Sequence, residues 1–175
     1  MAPEPVSFLS EHKILVTRFV EGFPIDTNDP ATIRNVARLL HQLHSAPEVP
    51  GVFNLPSVID DYIATAKRFN VTHPNKLSEA LEFSAKIISA MGSCEKVSAP
   101  CHNDLLPANF LQSRDQLYLL DWEYAGMGHP YVDLGNCAVN FCMDETACTI
   151  FMESYLGRKP STAEMAATSS AARSI

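Results

Sequence analysis

The residues best suited to chemistry lie in one stretch, Cys101-His102-Asn103-Asp104-Leu105-Leu106-Pro107-Ala108-Asn109, with Asp121-Trp122-Glu123 beginning twelve residues after Asn109. His102, Asp104 and Asn109 form a His-x-Asp-x-x-x-x-Asn pattern, and Asp121 adds a second acid. Phosphoryl transfer needs a set of this kind. One carboxylate must accept or orient the proton of the attacking hydroxyl, while a neutral oxygen ligand and another carboxylate hold the magnesium ions that neutralise the phosphates. Asp104, Asn109 and Asp121 fit those three roles. Taken singly, Asp and Asn are ordinary turn and cap residues; it is the joint spacing that carries the reading.

The elements around the stretch must make these side chains converge. Asn109-Phe110-Leu111-Gln112 and Gln116-Leu117-Tyr118-Leu119-Leu120 flank the polar turn Ser113-Arg114-Asp115, which reads as a β-hairpin. Antiparallel pairing brings Asn109 and Asp121 together at its open end. Upstream, Asn28-Asp29-Pro30 offers a cap with proline at the first helical position, and Ile33, Val36, Ala37, Leu40, Leu43 and His44 recur on one helical face. His41 and His44 share that helix at i, i+3, one expected on the core face and the other near solvent. A second helix carries the stripe Ile59, Tyr62, Ile63, Ala66 and Phe69, and a third Leu77, Ala80, Leu81, Ser84, Ile88 and Met91. Helical pattern returns from about Val132 to Phe141 and from Glu145 to Leu156, stopped by Gly157. The Ala- and Ser-rich stretch 161–175 reads as a helix without a packing partner or as a frayed tail. Ile14-Leu15-Val16-Thr17 reads as a strand with no visible partner before it.

Composition narrows the classes. Thirteen Lys and Arg against twenty Asp and Glu leave a formal charge of -7, with no basic run interleaved with aromatics, which disfavours nucleic acid. No apolar stretch approaches the roughly 18 to 20 residues of a membrane span. Met1-Ala2-Pro3-Glu4-Pro5 lacks the basic start and apolar core of a signal peptide, so the expectation is a soluble, cytoplasmic chain. The cysteines Cys94, Cys101, Cys137, Cys142 and Cys148 are odd in number and show no Cys-x-x-Cys spacing, which favours free thiols. A metal site from Cys94, Cys101 and His102 lacks a paired second half.

His102-Asn103-Asp104-Leu105-Leu106-Pro107-Ala108-Asn109, Leu120-Asp121-Trp122-Glu123-Tyr124-Ala125-Gly126 and Pro130-Tyr131-Val132-Asp133-Leu134-Gly135-Asn136, in that order, resemble the aminoglycoside phosphotransferase and choline/ethanolamine kinase superfamily. The Asp-Trp-Glu-Tyr-Ala-Gly wording is closer to the choline kinase branch, and Leu39-Leu40-His41-Gln42-Leu43-His44 looks like the family's first large-lobe helix. The resemblance runs from about Ile14 to Pro160. It implies an α+β chain: the mostly helical large, C-terminal lobe of a protein-kinase-like fold, with a small β-hairpin at the catalytic loop. Residues 1–22 would be a strand and hinge remnant of the small lobe, 23–160 the large lobe, and 161–175 a truncated helix or tail.

Carried over residue by residue, the resemblance implies Asp104 as catalytic base, His102 as support of the catalytic loop, Asn109 and Asp121 as magnesium ligands and Asp133 as the loop's anchor. The backbone around Arg18 to Val20 would face the adenine of ATP. His102 beside Asp104 is read as a brace more than as a proton acceptor. Glu123 stays open between the metal or acceptor and a solvated loop acid; Tyr124 stays open between acceptor contact and packing; Trp122 reads as core. The implied acceptor is a small amino alcohol or an aminoglycoside, and charge does not choose between them. Only about thirteen residues precede the strand at Ile14, so the lobe with a strand-borne lysine is expected to be missing; Lys13 has no sheet to place it. The chain would then be the central part of a longer enzyme, with self-association or a complementing chain at the exposed lobe interface.

Overall fold

A computed structural model describes residues 2–92, 98–114 and 116–172, with backbone alone for 87–92 and 170–172. Helix α1 (Pro30–His44) begins where its sequence dictates. The Asp29 carboxylate accepts from the amides of Ala31 at 3.1 Å and Thr32 at 3.0 Å, which holds its pKa below the usual value, and Pro30 occupies the first turn. Ile33, Val36, Ala37, Leu40 and Leu43 are buried, as the helical spacing requires, and Leu39 joins them.

That face packs against Leu105, Phe110 and Leu119, against Leu134, Cys137 and Phe141 of α4 (Pro130–Asn140), and against Phe151 and Met152 of α5 (Glu145–Leu156). Each such side chain contributes on the order of 1.5–3 kcal/mol of transfer free energy, so this cluster is the rigid body on which the loops are mounted. Gly157 closes α5 in the left-handed conformation, φ 67°.

The strands form three small antiparallel sheets. In the first, β1 (Pro5–Leu9) pairs with β2 (Ile14–Thr17), with Phe8 opposite Leu15. The strand expected to stand without a preceding partner therefore has one, made from the thirteen residues before it. The expectation failed because Pro3 and Pro5 mask a short strand that a tight turn folds back. In the second sheet, β5 (Phe110–Ser113) and β6 (Gln116–Leu119) are the predicted hairpin, and β3 (Phe23–Pro24) pairs on the outer side of β5. Asp115 of its turn lies outside the described residues. Gly22 must lack a side chain, since a Cβ there would sit 2.6 Å from the Gln112 carbonyl oxygen. In the third sheet, β4 (Ala99–Cys101) pairs with β7 (Gly126–Gly128).

Helix α2 (Leu55–Arg68) has no buried residue. Its stripe residues Ile59 and Ile63 instead line a groove of about 410 Å³ with Leu81 and Ala85 of α3 (Leu77–Gly92), where Ser84 is buried. The side chains of Ile88 and Met91 lie outside the described residues. The segment expected to lack a packing partner is helix α6 (Thr162–Ala172), seated on α4 with Thr168 buried. A reciprocal cap starts it: Ser161 N–H donates to Glu164 Oε2 at 2.7 Å and Glu164 N–H donates to Ser161 Oγ at 3.3 Å. Residues 173–175 of that stretch are not described. Cys101, Cys137, Cys142 and Cys148 are free thiols, and Cys94 lies outside the described residues. Among the described residues, no helix is long and apolar enough to cross a membrane.

Candidate active site

The loop from His102 to Asn109 leaves β4 and enters β5 through a single 3-10 turn, Pro107–Asn109. Its shape is set from below by Asp133, whose fully buried carboxylate accepts from the amides of His102 at 2.8 Å and Asn103 at 2.7 Å. Asn136, one turn further along α4, accepts from the Leu105 amide at 2.7 Å. A helix thus supplies three acceptors to the loop amides of His102, Asn103 and Leu105.

His102 is buried and bonded at both ring nitrogens. Nε2–H donates to the Leu120 carbonyl at 2.9 Å, and Nδ1 accepts from the Asp104 amide at 3.3 Å, so the ring ties the loop to the segment between β6 and Asp121. With both nitrogens occupied it braces the loop. The Trp122 ring meets it edge-on at 4.8 Å, and the indole N–H donates to the Leu119 carbonyl at 2.8 Å. Both residues are mounts for the loop.

Asp104 and Asn109 are brought together. Asn109 Nδ2 donates to the Asp104 carbonyl at 2.9 Å and to its Oδ2 at 3.2 Å, which leaves Asn109 Oδ1 without a partner among the described residues. The Asn109 carbonyl accepts from Leu120 N–H at 2.8 Å, and the next residue is Asp121. Asp121 is exposed at φ 60°, and among the described residues its carboxylate has no hydrogen-bond partner. One amide oxygen and one free carboxylate are hard donors of the type magnesium takes, so the residues present fit a divalent cation.

Of the other predicted residues, Tyr124 adjoins the loop and Arg18 and Val20 lie on a separate groove. Tyr124 is half-buried; its hydroxyl meets that of Tyr62 from α2 at 2.6 Å, and its ring meets Phe53 edge-on at 6.3 Å. The bond to Tyr62 is the main reason its phenol is pushed up to about 12, and the negative charges of Glu123 and Asp104 add to it. Glu123 is exposed. Arg18 and Val20 share no hydrogen bond with the Asp104 cluster. They line a groove of about 390 Å³ with Phe19, Gly22, Phe23, Arg114 and Tyr118. Arg18 N–H is already taken by the Glu4 carbonyl at 2.8 Å, whereas the Val20 peptide is unbonded among the described residues.

Four contributors were not singled out from the sequence: Asn136, Asn103, Tyr62 and Tyr155. Asn136 lies at i+3 from Asp133 and so on the same helical face, a signal that was present. Asn103 sits at φ 67° and donates to the Tyr124 carbonyl at 2.9 Å, while its Oδ1 is buried without a partner. Of the two α1 histidines, His44 takes the core position and His41 the exposed one. His44, Cys101 and Asp133 place three ligand-type atoms within 4.8 Å of one another. The imidazole and carboxylate are already bonded to each other, and burial drives the Cys101 thiol pKa far up, so this set is a closed structural network rather than a metal centre.

Comparison with known proteins gives a consistent picture. The model of the phosphotransferase enzyme family matches residues 1–164. Protein LicA of Haemophilus influenzae is 26% identical over 153 residues, 81% of this chain and 55% of that protein. Ethanolamine kinase 1 of Mus musculus is 28% identical over 142 residues, 70% of this chain and 38% of that protein. The crystal structure of a choline/ethanolamine kinase family protein from Mesorhizobium loti superposes with a TM-score of 0.82 at 26% identity, covering 98% of this chain and 60% of that one. The chain thus spans about half the length of the curated relatives it matches.

Proposed function

This chain belongs to the phosphotransferase enzyme family, and from that premise we propose that it transfers the γ-phosphoryl group of ATP, with Mg²⁺, to the hydroxyl of choline, ethanolamine or a similar amino alcohol. The observation that carries the reading is the pairing of Asp104 with Asn109, whose carbonyl accepts from the amide of Leu120, the residue before Asp121. Asp104 orients the acceptor hydroxyl and takes its proton as the oxygen attacks in line. Asn109 Oδ1 and Asp121 would hold magnesium, which supplies neutralisation of phosphate charge when bound. Asp133, Asn136 and His102 keep the Asp104 backbone in place, so that positioning rather than covalent chemistry with the protein supplies the rate.

The amino-alcohol assignment is supported by Tyr124, Tyr62 and Phe53, which offer aromatic surface beside the acids Asp104 and Glu123, the environment a cationic nitrogen favours. The kinase names of two of the relatives agree with it. On this reading Val20 offers its unbonded peptide to the adenine in the groove beside β3, with Arg18 at the rim.

The test is magnesium-dependent ADP release by the purified chain with choline, ethanolamine and an aminoglycoside as separate acceptors. Release with an amino alcohol that falls by about 10²–10⁴-fold in Asp104→Asn is expected. Release unaffected by that substitution would overturn the role of Asp104, and release with the aminoglycoside alone would overturn the acceptor.

A second reading is favoured by the surface around the hinge, where Phe19 is 88% and Phe23 77% exposed. It holds the chain to be a kinase-like module that is catalytically incompetent until further polypeptide covers that surface. Silence with every acceptor, reversed when a polypeptide fused ahead of Met1 covers that surface, would establish it.

A further inference from the structure

Asp133 and His44 are 89 residues apart in sequence, and the pair they form extends to a third residue that no spacing in the sequence indicates. His44 Nε2 lies 3.1 Å from Asp133 Oδ2, and His44 Nδ1 lies 2.8 Å from the hydroxyl of Tyr155 on α5. The His44 and Asp133 side chains are 4% and 0% exposed. Buried groups of this kind must each find a partner, so the direction of every bond in the chain is constrained.

The constraint starts at the carboxylate, which can only accept. It already takes the amides of His102 and Asn103, and Nε2 must therefore carry the hydrogen that reaches it. A neutral imidazole with hydrogen on Nε2 leaves Nδ1 as a bare acceptor. The Tyr155 hydroxyl is the donor that satisfies it, and burial, which pushes the phenol pKa well up, keeps that donor protonated. Were the hydroxyl absent, Nδ1 would be left buried without a donor, and the Nε2–H tautomer would lose one of the two bonds that fix the ring.

We propose that Tyr155 is a positioning residue for the loop that carries Asp104: its hydroxyl donates to His44 Nδ1 and so fixes the Nε2–H imidazole that holds Asp133 and through it the backbone of His102 and Asn103. The bearing on catalysis rests on the proposed phosphotransferase function; the hydrogen-bond assignment does not. The Tyr155 ring also packs edge-on against His41 at 5.6 Å and His44 at 5.5 Å, and Tyr155→Phe keeps that packing while removing the hydroxyl.

The experiment is long-range ¹H–¹⁵N spectroscopy of the imidazoles in the ¹⁵N-labelled full chain, with His44→Gln used to assign the His44 signal, combined with amide hydrogen exchange. The expected wild-type pattern is one protonated and one unprotonated ring nitrogen, the latter Nδ1. In Tyr155→Phe the Nδ1 resonance moves downfield, as a lone pair that has lost its donor does, and the His102 and Asn103 amides exchange about tenfold faster while those of Leu40 and Phe151 keep their rates. If the wild-type signal shows both nitrogens protonated, or hydrogen on Nδ1, the proposal fails without any variant. It fails equally if Tyr155→Phe leaves the Nδ1 resonance unmoved, or speeds all core amides alike, which is simple loosening. Where the chain turns over, kcat falls in Tyr155→Phe with KM for the acceptor unchanged. A wild-type chain without turnover bears on the phosphotransferase reading and leaves the spectra to decide this one.

Discussion

Asp121 holds a backbone conformation that L-residues avoid, φ 60°, on an exposed position where nothing in the packing demands an acid. Asp tolerates the left-handed region better than most residues, yet glycine would hold it at lower cost. A strained residue with a free carboxylate just beyond a strand is one whose side chain is worth the strain. Asp121→Gly is therefore expected to leave the melting temperature unchanged or raised and to abolish magnesium-dependent ADP release. Retained release in that variant would remove Asp121 from the metal site. At this scale the sequence was informative where residues act in one stretch: His102, Asp104, Asn109 and Asp121 are joined by spacing alone. It was silent on Tyr62 and Tyr155, because their partners Tyr124 and His44 lie 62 and 111 residues away and a tyrosine on a helix carries no mark of the hydroxyl it will meet.

Helix α6 shows what a cap contributes to an element whose composition offers little. Its run of Ala, Ser and Thr has no apolar stripe, and the sequence reading left it unpartnered. Glu164 is the fastening: it forms an ion pair with Arg158 at 2.6 Å and accepts from Ser161, and these bonds, that of Arg158 foremost, depress its pKa to about 2. A carboxylate whose folded pKa lies below its unfolded value stabilises the fold above the unfolded value, 4.5 here, and loses that contribution as pH falls from there through about 2. Carbon chemical shifts of α6 should therefore report full helix at pH 6 and fraying across that acid window. Glu164→Gln should already be frayed at pH 6 and should lack the acid step. An identical acid profile in the variant would assign the fraying to another group. The Ser161-x-x-Glu164 spacing stands in the sequence but was not read there as a cap; the α4 surface that receives the helix carries no local mark at all, since it is assembled from a different segment.

The whole molecule is unevenly finished. One cluster built from α1, the hairpin, α4 and α5 is closed, while the β1–β2 ribbon is exposed along both strands, with Phe8 62% and Leu15 59% accessible on one face. A lone two-stranded ribbon is marginal in water, and neither strand carries a charged residue to discourage edge pairing. Sedimentation of the chain should show association that rises with concentration, and Phe8→Lys with Leu15→Lys should suppress it. A chain that stays monomeric and does not bind an apolar dye would show the ribbon to be protected in solution. Sequence by itself determined the hairpin, the helices of the large lobe and the order of the motifs, because periodicity, caps and turns are local and each segment carries its own. Tertiary structure alone decided which donors Asp133 would serve, which histidine would turn inward, and that α6 would find a face to cover. Those outcomes depend on surfaces brought together across tens of residues, where burial requires every polar group to find a partner and the chain order does not say which.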